Sequence, residues 1–321
     1  MSDYRLIESY RLVVVIVVAM MLTSCSQSSS SSPNAISTDK ASLSAHRTVT
    51  DELGRTVTIV SEPKRIISLA PNITEILFAL DLGPRIVGVT TYCNYPPQAT
   101  TIDKVGDTLR PNLEQIIALH PDLVLISTAS QLQQFLAKLT EAGIPIFVLK
   151  SPSVEATLHS IVTVGQLTNR ETQAKALVNQ LRGRLATIAE KVAGKPRPKV
   201  FFVVGTEPLI TAGRDAFITD LINFAGGDSI SADVAAEWPA YSAETVIARA
   251  PDIILVPGWH ANEQASDEKN GLKLPPGLEV TPAVRNGRTH TINPDLILRP
   301  GPRIVDGLAE MARLFHPEAA P

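Results

Sequence analysis

Four short stretches of this chain carry most of the side chains able to recognise a small molecule. They are Ala70-Pro71-Asn72, "TYCNYPPQ" at 91–98, "AEWPAYS" at 236–242 and "NPDLILRPGPRIVDG" at 293–307. Between them they offer the aromatic faces of Tyr92, Tyr95, Trp238 and Tyr241, the amide of Asn72, the thiol of Cys93, and the charges of Asp295, Arg299 and Arg303. Prolines stiffen every one of these stretches, as expected of turns with a fixed shape. Trp238 and Trp259 are the only tryptophans and aromatics make up 5% of the chain, so an aromatic-walled pocket must draw on few residues. Reaction chemistry is poorly provided for. The chain has no G-x-G-x-x-G after its first strand, no G-x-S-x-G and no G-x-x-x-x-G-K-[ST]. Its six histidines are scattered, and its two cysteines form no C-x-x-C. These features point away from an enzyme and ask for no cofactor or metal site. A neutral thiol is a poor metal ligand, so Cys93 reads as a small residue packed in a loop. The net charge of −3 excludes the basic balance of a nucleic-acid binder.

Such loops need a scaffold. "RTVTIV" (55–60), "RIISLA" (65–70), "RIVGVT" (85–90), "DLVLIS" (122–127) and "IPIFVL" (144–149) read as strands. Helical patterns lie between them, the first in "ITEILFALDLG" with Asn72 as N-cap and Gly83 as stop. Strands alternating with helices predict a parallel α/β sheet. Near Asn169 the pattern changes. Leu177, Leu181, Leu185, Ile188 and Val192 form one apolar stripe, predicting a long helix that ends at Gly194. Alternation then restarts with "KVFFVV", "DIILVP" and "RTHTIN", followed by a last helix from about Arg303. The expected architecture is two Rossmann-like α/β lobes, 49–168 and 195–321, joined by a bridging helix over 169–194. By this assignment the first, second and fourth stretches follow strand ends, where cleft loops of open α/β sheets gather.

An internal repeat supports the two lobes. "NLEQIIALHPDLVLIS" (112–127) aligns without gaps to "SAETVIARAPDIILVP" (242–257). Glu114/Glu244, Ile117/Ile247, Ala118/Ala248, Pro121/Pro251, Asp122/Asp252 and Leu125/Leu255 are identical pairs. The offset is too long for a solenoid and fits similar lobes facing each other across a cleft. Each copy predicts a capped helix, with Asn112 or Ser242 as cap, then a Pro-Asp turn and a buried strand.

The N-terminus reads as a targeting segment. "LVVVIVVAMML" (12–22) is too short to span a membrane, which takes ~20 residues, and follows Arg5 and Arg11. It runs into Leu22-Thr23-Ser24-Cys25, which resembles a bacterial lipobox. That resemblance implies a signal peptide over 1–24 and a lipid on Cys25. A Ser-rich tether over 25–48 would then hold the folded body near a membrane in the cell envelope.

"RIISLAPNITEILFALDLGPRIVGVTTYCNYPPQA" followed by "VGDTLRPNLEQIIALHPDLVL" resembles the substrate-binding proteins of ABC importers for cobalamin and ferric siderophores, closest to the cobalamin branch. The resemblance runs from about Val49 to the last helix. It implies a monomeric receptor that holds a bulky metal chelate between its lobes and delivers it to a permease with its ATPase. Tyr92 and Trp238 would supply aromatic walls, Pro71 and Asn72 a cleft edge, and Asp295 an acid on the opposite side. Glu114 and Glu244 would meet arginines of the transporter. The chain departs from the cobalamin pattern in having Thr108, Ser127 and Leu296 where that pattern has aromatics, and Trp259 is a candidate replacement. A receptor for an anionic ferric siderophore or for haem is the alternative, with Arg110, Arg299 and Arg303 as its cations. An enzyme acting on metal chelates would be a use of another class for the same scaffold.

Overall fold

The computed structural model describes residues 46–127, 133–258 and 274–319. The chain enters through an antiparallel hairpin, β1 (His46–Thr50) and β2 (Thr56–Val60). The first lobe is a parallel sheet built from β3 (Ile66–Ser68), β4 (Ile86–Val89), β5 (Leu123–Ser127) and β6 (Ile146–Leu149), in the order β4-β3-β5-β6. Helices α1 (Pro71–Ala79), α2 (Leu113–Ala118) and α3 (Gln133–Glu141) connect these strands. The second lobe places β7 (Lys199–Thr206), β8 (Leu209–Thr211), β10 (Ile253–Pro257) and β11 (Thr289–Ile292) in the order β11-β10-β7-β8, with the short β9 (Asp228–Ser229) also paired to β7.

Strand alternation sorts the apolar residues onto opposite sheet faces. Ile66, Leu123 and Leu125 face one cluster, while Ile67, Val124 and Ile126 face another. Lobe two repeats the arrangement, with Val200 and Phe202 inward and Phe201 and Val203 on the far side. The first of these clusters is shared. It runs from Ile66 and Leu77 through Val164 and Leu181 to Leu308 and Phe315. A continuous apolar contact of this kind restrains the lobes against rigid-body motion.

Two consecutive helices contribute much of that shared core. Helix α4 (Val154–Thr168) ends at Asn169, which takes the left-handed conformation (φ 58°). Helix α5 (Glu171–Val192) then crosses to the second lobe. At ~1.5 Å per residue it spans ~33 Å. Its buried stripe is Ala174, Val178, Leu181, Leu185 and Ile188. The expected stripe therefore shifts: Leu177 and Val192 pack at its margin instead. Each large apolar side chain in the stripe contributes about 1.5–3 kcal/mol on burial, which outweighs the small differences in helix propensity.

Two other expectations change. Pro71 takes the first helical position, so Ala70 is the N-cap and Asn72 lies inside α1. The helix ends at Ala79 rather than at Gly83, which opens a short 3-10 turn. The remaining helices are α6 (Phe217–Phe224), α7 (Ala243–Arg249), α8 (Pro282–Arg285), α9 (Pro294–Ile297) and α10 (Ile304–Phe315).

The repeat has a physical explanation. Asn112 accepts from Gln115 N at 3.1 Å and Ser242 from Thr245 N at 3.1 Å, so both copies start on a side-chain cap. The Asp122 carboxylate accepts from the backbone N–H groups of Lys64 and Arg65 beside β3, and Asp252 accepts from Lys199 N at the start of β7. Each Pro-Asp turn therefore anchors the neighbouring strand of its own sheet.

Candidate functional site

Three of the four stretches meet across the lobes. Glu75 on α1 is only 3% exposed, and its carboxylate receives two hydrogen bonds from the Arg303 guanidinium, at 2.6 and 2.9 Å. Arg299 stands 3.8 Å from the same carboxylate and pairs with Asp295 at 2.7 Å. Arg299 also donates to the Asn94 side-chain oxygen at 2.6 Å, and the Asn94 amide donates to Asp295 at 3.4 Å. Asn72 donates to Pro300 O at 3.3 Å. The Arg303 guanidinium lies 3.8 Å from the centre of the Tyr95 ring, close enough for a cation–π contact. Two arginines and two carboxylates thus balance within one interlobe network. Burial outweighs the guanidiniums at Glu75 and raises its pKa, whereas the ion pair raises that of Arg303. The two directions are compatible because the carboxylate is the more buried partner.

This network explains Cys93. Its thiol is buried and takes a hydrogen bond from the Thr74 hydroxyl at 3.2 Å, with the Thr90 hydroxyl at 3.1 Å. It packs the 91–96 loop onto α1, which positions Asn94 and Tyr95 for the contacts above. Tyr95 serves as the platform for Arg303 as well as preceding the two prolines, and its bond to Pro96 is cis.

Beside the network opens an interlobe cleft of about 930 Å³, at the upper end of the range for small-molecule sites. Lobe one contributes Ser127, Lys150 and Ser153, and lobe two contributes Asp215, Glu237, Trp238, Leu298 and Pro300. At its other side Asp220 of α6 accepts from Val154 N, the first residue of α4, at 2.7 Å. The lobe-two wall is two loops stapled by backbone bonds, Gly213 N to Glu237 O, Arg214 N to Val234 O and Asp215 N to Ala236 O. A Cβ at Gly213 would fall 2.2 Å from Ala236 O, so only glycine permits this approach. The staple sets Asp215, Glu237 and Trp238 side by side, with Trp238 40% exposed.

The expected site residues divide accordingly. Trp238 lines the cleft. Asn72, Asp295 and Arg299 serve the interlobe network, and Pro71 begins the helix that carries Glu75. Tyr92 and Arg110 are exposed and are not among the cleft-lining residues. Trp259 and Cys25 lie outside the described residues. Glu75, Lys150, Asp215 and Glu237 escaped the sequence reading. Glu75 left one signal: an acid three residues from Asn72 on the face of an otherwise apolar helix. Among the described residues no three His, Cys, Asp or Glu side chains converge as a metal site.

The equivalent helices α2 and α7 expose equivalent residues. Glu114 and Glu244 are solvent-exposed in the first turns. The Glu244 carboxylate is hydrogen-bonded by its own backbone N–H and then by the Ser242 side chain, which hold its pKa below the usual value.

The periplasmic binding protein family matches residues 66–296. The chain is 32% identical to an uncharacterised ABC transporter substrate-binding lipoprotein of Bacillus subtilis, over 84% of this chain and 86% of that one. It is 30% identical to a vitamin B12-binding protein of Vibrio parahaemolyticus, over 81% of this chain and 92% of that one. Among solved structures, the periplasmic haem-binding protein RhuT from Roseiflexus sp. RS-1, in apo form, matches with a TM-score of 0.72 at 32% identity, covering 80% of this chain and 99% of that one. With two α/β lobes about one cleft and these matches along most of its length, the chain belongs to the periplasmic binding protein family and is a solute-binding protein of an ABC transporter.

Proposed function

We propose that the chain captures a corrinoid such as cobalamin in the interlobe cleft and delivers it to an ABC permease, held to the membrane by a lipid on Cys25. The observation that carries the choice of ligand is the charge of the cleft. Among the described residues its lining holds two cations, Lys150 and Arg214, against four carboxylates, of which Asp228 is paired with Arg197 at 2.7 Å and Asp220 accepts from Val154 N, leaving Asp215 and Glu237 facing the cleft without a cation partner of their own. The Arg214 guanidinium is already engaged by the carbonyls of Ala232 and Asp233. Arg299 and Arg303, which an anionic chelate would need, are committed to carboxylates and to Asn94. A lining of this balance repels anionic siderophores and complements a chelate whose rim offers amide N–H donors. The vitamin B12-binding relative supports the same reading, and the haem-binding structure marks its rival.

The purified protein is to be incubated with cyanocobalamin, haemin and several ferric siderophores together, desalted, and its visible spectrum recorded. The corrinoid bands are expected to remain; retention of a haem or ferric-siderophore spectrum in their place would move the protein to the rival reading.

Two further outcomes follow. Trp238→Ala is expected to weaken corrinoid binding at least about tenfold while leaving the melting temperature within a few degrees, because the indole is a half-exposed wall and not core. Equal affinity by titration would show that Trp238 contributes no ligand contact. Cys25→Ser is expected to release the protein from the membrane fraction, and unchanged fractionation would remove the lipid from this account.

A further inference from the structure

The two copies of the internal repeat share one more exposed feature. Among the described residues only eight large hydrophobic side chains are exposed, and two of them are Ile117 and Ile247, at 39% and 37%. They are the same position of the repeat. Their neighbours Ile116 and Val246 are fully buried and belong to the apolar cores of the two lobes, whereas Ile117 and Ile247 belong to neither core. Each lies three residues after the repeat's glutamate, which places the acid and the isoleucine on one face of a helical turn. Each lobe therefore presents the same pair, Glu114 with Ile117 and Glu244 with Ile247. Helix stability asks for none of this: the caps and the buried residues already hold α2 and α7 in place. An exposed β-branched side chain is also not a residue that favours a helix.

We propose that Ile117 and Ile247 are apolar docking contacts for the permease, each seated in an apolar recess beside the basic group that receives the adjoining glutamate. The proposal rests on the delivery of solute to a permease. The occupant follows from charge complementarity and from symmetry. An acid joined to an isoleucine fits a surface offering a cation beside an apolar hollow. Two equivalent patches on one chain fit a partner that offers that surface twice. The two side chains have different duties. Exposed charges speed and orient the encounter and lose their effect in salt, whereas buried apolar contact slows dissociation and is little affected by salt.

The test uses the full lipidated chain, with the host's cobalamin permease–ATPase complex reconstituted in lipid vesicles, and reads association and dissociation rates at low and high salt. Ile117→Ser with Ile247→Ser is expected to raise the dissociation rate about tenfold at both salt concentrations, with the association rate, ligand affinity and melting temperature close to those of the parent. Ile117→Leu with Ile247→Leu is expected to restore slow dissociation. A parent-like dissociation rate in the serine double variant would overturn the proposal, and so would a loss confined to low salt. If the parent itself fails to bind the permease, the delivery reading fails. If the parent binds and only the glutamate variants weaken it, the delivery reading stands and the isoleucine contact alone is lost.

Discussion

Glu114→Lys combined with Glu244→Lys is expected to leave ligand affinity unchanged and to reduce uptake and complex formation with the permease by at least about tenfold. Both glutamates are exposed in the first turns of α2 and α7, on the same turn of each repeat copy. Neither is among the residues lining the cleft. An acid in the first turn complements the helix dipole, and that alone accounts for either glutamate taken separately. It does not account for the identity of the pair when most other first-turn residues have diverged, as Leu113 against Ala243 and Gln115 against Thr245. A pseudo-twofold receptor on a twofold partner accounts for both. Single reversals are expected to fall between parent and double variant, and high salt is expected to reproduce the defect in the parent. Parent-like uptake by the double variant, at equal expression and ligand affinity, would leave the glutamates with the dipole role alone.

The largest effect on stability is expected at Arg303. Arg303→Ala leaves the Glu75 carboxylate, 3% exposed, with only the more distant Arg299 to balance it. Breaking a buried pair from one side costs about 3–5 kcal/mol, because the remaining charge stays desolvated. The loss depends on pH in a definite sense. Burial already raises the pKa of Glu75, and Arg303 is the strongest influence holding it down. Without Arg303 the pKa rises further. An acid whose folded pKa is raised binds its proton more tightly folded than unfolded, so the folded state is penalised above the folded pKa and relieved below it. The stability difference between parent and variant, measured by urea unfolding, is therefore expected to be greatest at neutral and alkaline pH. It should shrink as pH falls toward ~4.3, the ordinary value for glutamate. A difference that does not change with pH would assign the loss to the contact with Tyr95 and not to the stranded carboxylate. Glu75→Gln with Arg303→Met, which removes both charges, is expected to recover much of the stability.

Much of this architecture is legible in the residues, for reasons that differ by element. The sheets are legible because their strands are buried on both faces, so "DLVLIS" and "DIILVP" read as continuous apolar runs. The repeat is legible because two copies solve one local problem, a capped helix whose Pro-Asp turn anchors a neighbouring strand. Helix α4 is not, since its buried face includes Thr157, Ser160 and Thr168 as well as aliphatic residues, which blurs the period. The start of α1 is misread from Asn72 because asparagine is a common cap, whereas proline at the first helical position decides the boundary. The interlobe network is the least legible part. Glu75 and Arg303 lie 228 residues apart, and no local pattern pairs an acid on one lobe with a base on the other. Asp295 and Arg299 are visible as charges among prolines, but their partners are not. The charge of the cleft follows only once those arginines are seen to be taken.

Titration calorimetry of the purified protein with cyanocobalamin decides whether the cleft is a corrinoid site. Saturable one-to-one binding is expected, with a dissociation constant between about 1 nM and 1 μM, equivalent to ~8–12 kcal/mol. A flat cobalamin titration beside clear binding of a ferric siderophore or haemin would contradict it.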